Sequence, residues 1–191
     1  MSNVTIIGTG AMGTAIAEVL RRGGATVELF GREQADAAPS GDVVVLAVPY
    51  PALPEVLRAH GAHLAGKVVV DITNPVDFET FDGLTVPAES SAAAELAGKL
   101  PGSRVVKAFN TTFAGTLSAG TVGALTTTVL VAGDDADAKS QVAALVEAGG
   151  LTAVDAGSMR RARELEALGF LQITLAAAEK VSWTGGFGVA A

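Results

Sequence analysis

Val4-Thr5-Ile6-Ile7-Gly8-Thr9-Gly10-Ala11-Met12-Gly13 decides the fold. Val4, Ile6 and Ile7 read as a strand. The glycines follow at the spacing Gly-x-Gly-x-x-Gly, and Ile16, Val19 and Leu20 then recur at helical intervals. A strand that breaks into such a turn and opens a helix is how a chain cradles a dinucleotide pyrophosphate. Gly8 is expected to make the tight turn, Gly10 to let backbone approach the phosphates, and Gly13 to let the helix pack close to the strand. The helix starting near Ala11 would aim its free N–H groups and positive dipole end at the anion, with Thr9 and Met12 completing the loop.

Working outward, strands and helices alternate. Strands are expected at 3–8, 25–30, 42–48, 67–72, 104–109, 126–132 and 151–155. Helices are expected at 11–22, 51–60, 90–99, 135–148 and, as one long element, 158–181. Val43–Val48 and Val68–Val70 are unbroken apolar runs, as in parallel strands covered on both faces. The pattern predicts an α/β fold: a Rossmann-type doubly wound, mostly parallel sheet with right-handed crossovers. The segment 32–41 is too short for a crossover helix, so a loop or one turn is expected there. Residues 1–157 form the expected nucleotide-binding domain. Residues 158–191 form a small C-terminal extension, a helix and a glycine-rich tail, that completes the cleft or a dimer interface.

Composition narrows the function. The chain has 191 residues, 49% of them hydrophobic, enough for a sizeable core. A net charge of −7 argues against nucleic acid or an anionic membrane surface as partner. No cysteine is present, which removes disulfides, thiolate metal sites and a cysteine nucleophile and suits a cytoplasmic protein. No metal site is expected. The first apolar run carries the glycine motif, so it does not read as a targeting peptide. The uncharged stretch 108–133 is broken by Asn, Thr, Ser and Gly and does not read as a membrane span.

Ligands of such sheets gather beyond the carboxyl ends of the strands. The second strand ends at Phe30-Gly31-Arg32, where an NAD site would carry an acid. Arg32 suits a 2′-phosphate instead, which points to NADP(H). Glu28 comes too early and Glu33 too late to take the acid's place. Ala47, Val48 and Pro49 follow the third strand and are candidates for the nicotinamide ribose and ring wall. Asn74-Pro75 follows the fourth and Asn110-Thr111-Thr112 the fifth. Asn74 and Asn110 are candidates for polar edge contacts, and each also reads as a turn or cap. Tyr50 either covers the nicotinamide or plugs the gap beside Pro49 and Pro51. No general acid is evident. After the last strand too little chain remains for a separate substrate domain, so a flat second cofactor stacked on the nicotinamide is the natural partner.

Other residues have plainer readings. His60 and His63 precede the fourth strand, at the wrong end of the sheet, and suit a surface or capping role. Lys107 in an apolar strand is expected to snorkel to the rim, or else to reach the ligand phosphates or tail. Ser90 and Ser91 suit an N-cap. Arg160, Arg161 and Arg163 oppose the dipole of the last helix. They are expected to pair with Asp155, Glu164 and Glu166, or else to meet an anionic cofactor tail. Leu165, Leu168, Leu171, Leu175 and Ala178 form a stripe that must cover the sheet or a second copy of the chain, which makes a homodimer plausible.

Several segments together carry a resemblance: Gly8–Gly13, Gly31-Arg32, Leu46–Tyr50, Val70–Pro75, Val105–Thr111, Val131–Asp135 and Val154–Gly157. In order and spacing the chain resembles the F420H2:NADP oxidoreductases, NADPH-dependent reductases of coenzyme F420. Most segments also recur in the cytosolic domains of six-helix metalloreductases. The resemblance implies a nicotinamide lying against the loops after the third, fourth and fifth strands, a deazaflavin stacked on it, and direct hydride transfer between them. Thr111 and Thr112 would then contact the carboxamide or the deazaflavin edge. Two alternatives use the same NADPH site. One is reduction of a flavin, quinone or metal chelate; the other is a non-catalytic NADPH-sensing module.

Overall fold

The valine runs form the middle of the sheet, as their double-sided burial requires. In this computed structural model, which describes residues 2–190, the strands are β1 (Asn3–Ile7), β2 (Thr26–Phe30), β3 (Val43–Leu46), β4 (Val68–Asp71) and β5 (Arg104–Lys107). There follow the two-residue partners β6 (Thr121–Val122) and β7 (Leu125–Thr126), then β8 (Thr128–Ala132) and β9 (Thr152–Gly157). Met1 and Ala191, the outer bounds of the two expected segments, lie outside the described residues. The seven-stranded sheet has the order β2-β1-β3-β4-β5-β8-β9. Strand order reverses at β1, with β2 on one side and β3 on the other.

The helices are α1 (Ala11–Arg22), α2 (Leu53–His60), α3 (Ala92–Lys99), α4 (Ala114–Ala119), α5 (Ala136–Ala148) and α6 (Ala162–Ala177). One apolar core joins α1, α4 and α5 to the sheet; the other joins α2, α3 and the start of α6. All pairings in the large sheet are parallel except β5 with β8, which meet antiparallel at Lys107 and Ala132. The reason lies in the connection. A parallel return needs a crossover of a dozen or more residues back to the far end of the sheet. Residues 108–127 instead spend their length on α4 and the β6–β7 hairpin, so β8 starts near the carboxyl end of β5. Neither α4 nor the hairpin was predicted, because small residues and threonines there show no apolar period.

The 32–41 connection is as short as expected, a single 3-10 turn at Arg32–Gln34. His60 holds the following loop. It is buried, packs on Phe30 at 5.9 Å and lies 3.1 Å, through Nδ1, from the Ala37 carbonyl. The surface reading therefore applies to His63, which is exposed, and not to His60.

The expected 158–181 helix is shorter, with a 3-10 turn at Met159–Arg161 leading into α6. Of the stripe expected to cover the sheet or a second copy, only Leu165 is turned fully inward. The face turned inward is Ala162, Leu165, Glu166, Gly169, Gln172 and Ala176. Leu168 and Leu175 are half-buried and Leu171 is exposed. Close approach decides this: a Cβ on Gly169 would sit 2.4 Å from the Asn74 Oδ1. A bulky leucine face could not come so near, and the polar residues that do face inward find partners there.

Candidate active site

Gly8 closes the β1 turn in a left-handed conformation with φ 120°, its N–H donating to the Phe30 carbonyl at 2.9 Å. A Cβ there would overlap the Ala47 carbonyl oxygen at 2.1 Å, and one on Gly13 would meet the Gly8 oxygen at 2.0 Å. Both glycines are thus required by packing, as expected. Gly10 differs: no atom lies within 4 Å of its notional Cβ, and Thr9, Gly10 and Ala11 are exposed. Gly10 caps α1 without any side-chain hydrogen bond, and the first turn carries no acid. The first turn of α1, at the exposed Ala11 and the half-buried Met12, therefore carries no protein anion and no side-chain cap.

Beyond Gly31, Arg32 is exposed and forms no ion pair among the described residues. Glu28, the only acid on β2, is engaged through one oxygen, Oε1. It accepts hydrogen bonds from the hydroxyl of Thr5 and from the Ser40 N–H and hydroxyl, at 2.8 and 2.9 Å for Ser40. Burial would raise its pKa, but these donors outweigh burial and hold it below the usual glutamate range. The one carboxylate on β2 is tied through Oε1 to Thr5 and Ser40, two residues before the strand ends, and beyond that end stands the exposed Arg32 guanidinium, without an ion pair among the described residues.

On the other side of the switch point, Ala47 and Val48 are half-buried and Pro49 is exposed. Tyr50 turns away from this edge. Its hydroxyl donates to Glu95 on α3 at 2.9 Å, and its ring joins the core of α2 and α3. Burial, then the Glu95 contact, pushes its pKa up to about 12. The geometry is that of the plug, one of the two readings of Tyr50.

Asn74 and Asn110 come together. Asn110 donates through Nδ2 to Asn74 Oδ1 at 2.9 Å and to the Leu165 carbonyl at 2.8 Å, and Asn74 donates to the Asn110 carbonyl at 2.9 Å. The pair ties the exits of β4 and β5 to α6. Pro75, Thr111 and Thr112 are buried beside it. Thr112 donates its hydroxyl to the Phe109 carbonyl at 2.7 Å. Phe109 adopts φ 63°, a strained conformation for a bulky side chain and one that clusters at functional sites. Among the described residues, two buried side-chain atoms lack a partner, Thr73 Oγ1 and Asn110 Oδ1.

Lys107 does not snorkel. It is fully buried and pairs with Asp71 at 2.9 Å and with Glu166 at 2.8 Å. Glu166 in turn accepts from the N–H groups of Ala92 and Ala93 at the start of α3, which Ser91 caps as expected. Burial pushes the Glu166 carboxyl up, against the pull of Lys107. Spacing along the chain gave no sign of this cluster, because its members come from two strands and a distant helix. The expected arginine pairing holds for Glu164, which meets Arg161, and is corrected for Asp155 and Glu166. Glu166 faces inward, and Asp155 pairs with Lys139 at 2.8 Å. Arg161 meets Glu164 at 3.3 Å and Arg163 meets Glu89 at 3.6 Å, both on the surface.

A mostly parallel sheet with a glycine turn at its switch point and an exposed arginine just beyond the neighbouring strand defines a protein of the Rossmann-type dinucleotide-binding class. The family model "NADP oxidoreductase coenzyme F420-dependent" matches residues 25–75. The F420-dependent NADP reductase of Methanocaldococcus jannaschii is 32% identical over 172 residues, 88% of this chain and 77% of that protein. The metalloreductase STEAP3 of Rattus norvegicus is 40% identical over 105 residues, 55% of this chain and 20% of that protein. A crystal structure from Arthrobacter sp. FB24, provisionally assigned as an F420-dependent NADP-reductase, superimposes with a TM-score of 0.87 at 28% identity, covering 100% of both chains. The chain belongs to the F420-dependent NADP reductase family, an NADP-dependent oxidoreductase family.

Proposed function

We propose that this chain transfers hydride between NADP(H) and the deazaflavin coenzyme F420. Long-range similarity to reductases of that name supports the reaction. The carrying observation for the nucleotide is the contrast between a free Arg32 and an engaged Glu28. Gly8, Thr9, Gly10, Ala11, Met12 and Gly13 bind the pyrophosphate, and Gly31 with Arg32 holds the 2′-phosphate. Ala47, Val48 and Pro49 wall the nicotinamide ribose and ring. Asn74, Pro75, Asn110, Thr111 and Thr112 form the floor beyond β4 and β5. Thr73 Oγ1 and Asn110 Oδ1, buried without protein partners, suit a bound polar group there.

The two cofactors supply the redox chemistry, donating and accepting hydride between ring carbons. The chain's task is to bring those carbons to about 3–3.5 Å and exclude water. No residue needs to move a proton for that step. Residues 1–157 act as the NADP-binding domain, and 158–191 complete the cleft. The outward Leu168, Leu171 and Leu175 are the surface a second copy would cover in a homodimer, a reading checked by molar mass in solution. The protein works in the cytoplasm. No described helix is long and apolar enough to cross a membrane.

The test is absorbance at the deazaflavin band after mixing protein, NADPH and oxidised F420, with FAD and FMN in parallel. Bleaching that needs the protein and prefers NADPH to NADH is expected. Preferential reduction of FAD or FMN would replace F420 as acceptor. Tight NADPH binding without any bleaching would favour the sensor.

A further inference from the structure

Asp71, Lys107 and Glu166 are each fully buried, three charges where burial is costly. Apolar replacements of such clusters are often neutral or stabilising, so stability alone does not account for them. What they hold is specific. Lys107 Nζ donates to Asp71 and to the Thr73 carbonyl and forms an ion pair with Glu166 at 2.8 Å. The other oxygen of Asp71 accepts the Thr73 N–H at 2.9 Å. The ion pair thus grips both backbone polar groups of one residue, at the exit of β4. On its far side Glu166 seats α6 on the start of α3, and Leu165, the residue before it, presents its carbonyl to Asn110 at the exit of β5.

We propose that Asp71, Lys107 and Glu166 form a positioning unit that sets the Thr73-Asn74 and Asn110 exits, and so governs hydride-transfer geometry rather than nucleotide affinity. The two unpartnered buried atoms support this, because they belong to Thr73 and Asn110, the residues the cluster orients. A grip on the Thr73 N–H and carbonyl fixes the backbone from which its hydroxyl projects. A fixed α6 fixes the Asn110 amide, whose two N–H groups are spent on Asn74 and Leu165 and whose oxygen is left free. The pyrophosphate cradle shares none of these hydrogen bonds.

This inference rests on the proposed reaction, and its test separates the two. Lys107→Met alone strands two carboxylates and risks unfolding, so it is paired with Lys107→Arg and with the neutral triple variant Asp71→Asn, Lys107→Met, Glu166→Gln. Three quantities are read: affinity for adenosine 2′,5′-bisphosphate, fluorescence of bound NADPH, and the single-turnover rate of F420 reduction. In the folded triple variant the bisphosphate should bind within about twofold of wild type, since its site is remote. The bound dihydronicotinamide emission should change, and the turnover rate should fall by about 10²-fold, the cost of a small misplacement. Lys107→Arg should recover part of both. Unchanged emission and rate in the triple variant would overturn the proposal. So would a parallel loss of bisphosphate binding, which marks a merely structural role. If the wild type reduces no deazaflavin, the reaction is wrong, and the emission alone still decides whether the cluster orients the nicotinamide.

Discussion

The N-termini of α1 and α3 both lie at the carboxyl edge of this sheet, and the chain treats them oppositely. At α1 the cap is Gly10, no side chain bonds the free N–H groups, and nothing acidic stands in the first turn. At α3 the cap is Ser91, and the Glu166 carboxylate fills the end by accepting from Ala92 and Ala93. Both ends carry the same partial positive charge. One is left without any anion of the protein; the other is closed by one. The first half of the cleft is made almost wholly of backbone and glycine. The second is made of side chains that hold one another. A substitution should therefore act sterically in the first half and through lost hydrogen bonds in the second.

The largest effect should come from breaking the glycine turn, and its two outer glycines should not behave like the middle one. Gly13→Val would drive a side chain into the Gly8 carbonyl, so loss of the folded protein is expected. Gly10→Val meets no protein atom within 4 Å, and its φ of −72° suits any residue. That variant should melt as wild type does and yet lose NADPH binding, because the new side chain occupies the phosphates' place. Thermal melts with calorimetric titration check both. Normal NADPH affinity in Gly10→Val would remove the pyrophosphate from this turn.

A smaller effect sharpens the comparison at the adenine end. Arg32→Ala should weaken NADPH by about 1.5–3 kcal/mol, the worth of hydrogen bonds to a charged group. NADH should be almost unaffected, since it carries no 2′-phosphate. Equal weakening of both would mean that Arg32 acts on the fold or on the adenine rather than the phosphate. The melting temperature should stay the same, because Arg32 is exposed and its described surroundings give it no ion-pair partner.

The backbone half was the legible half. Glycine spacing, the valine runs and Arg32 are local signals, and each lies within one strand and its turn. The side-chain half was not legible in the same way. Lys107 in an apolar strand looked like a residue reaching for water, because its partners Asp71 and Glu166 lie far away in sequence. The leucines of α6 left the sheet and a second copy equally open as what they cover, because hydrophobic spacing says nothing of how closely Gly169 must pass Asn74. The antiparallel entry of β8 escaped for a related reason. Strand direction depends on how much of a connection is spent crossing the sheet, and α4 and the β6–β7 hairpin left no periodic mark. Asn74 and Asn110 were found as candidates, but their mutual bonding was not.

The smallest effect separates the two halves by the sign of their response to pH. Glu28, beside the Arg32 turn, is held below the ordinary glutamate value of about 4.3. A depressed carboxyl contributes stability that is present above that ordinary value and is lost as pH falls through the folded one. Glu166, in the buried cluster, is raised by burial. A raised carboxyl contributes stability that is full below the ordinary value and is lost as pH rises through the folded one. Urea unfolding across the acid range should therefore show opposite slopes when each is neutralised. Glu28→Gln should flatten the loss of stability on acidification. Glu166→Gln should compare better with wild type at neutral pH than in acid, since the variant no longer has to keep a raised carboxyl ionised. If both substitutions changed the profile in the same direction, Lys107 and the α3 N–H groups would be outweighing burial at Glu166. The second half of the cleft would then be held by net attraction and not, as the geometry indicates, by orientation at an energetic cost.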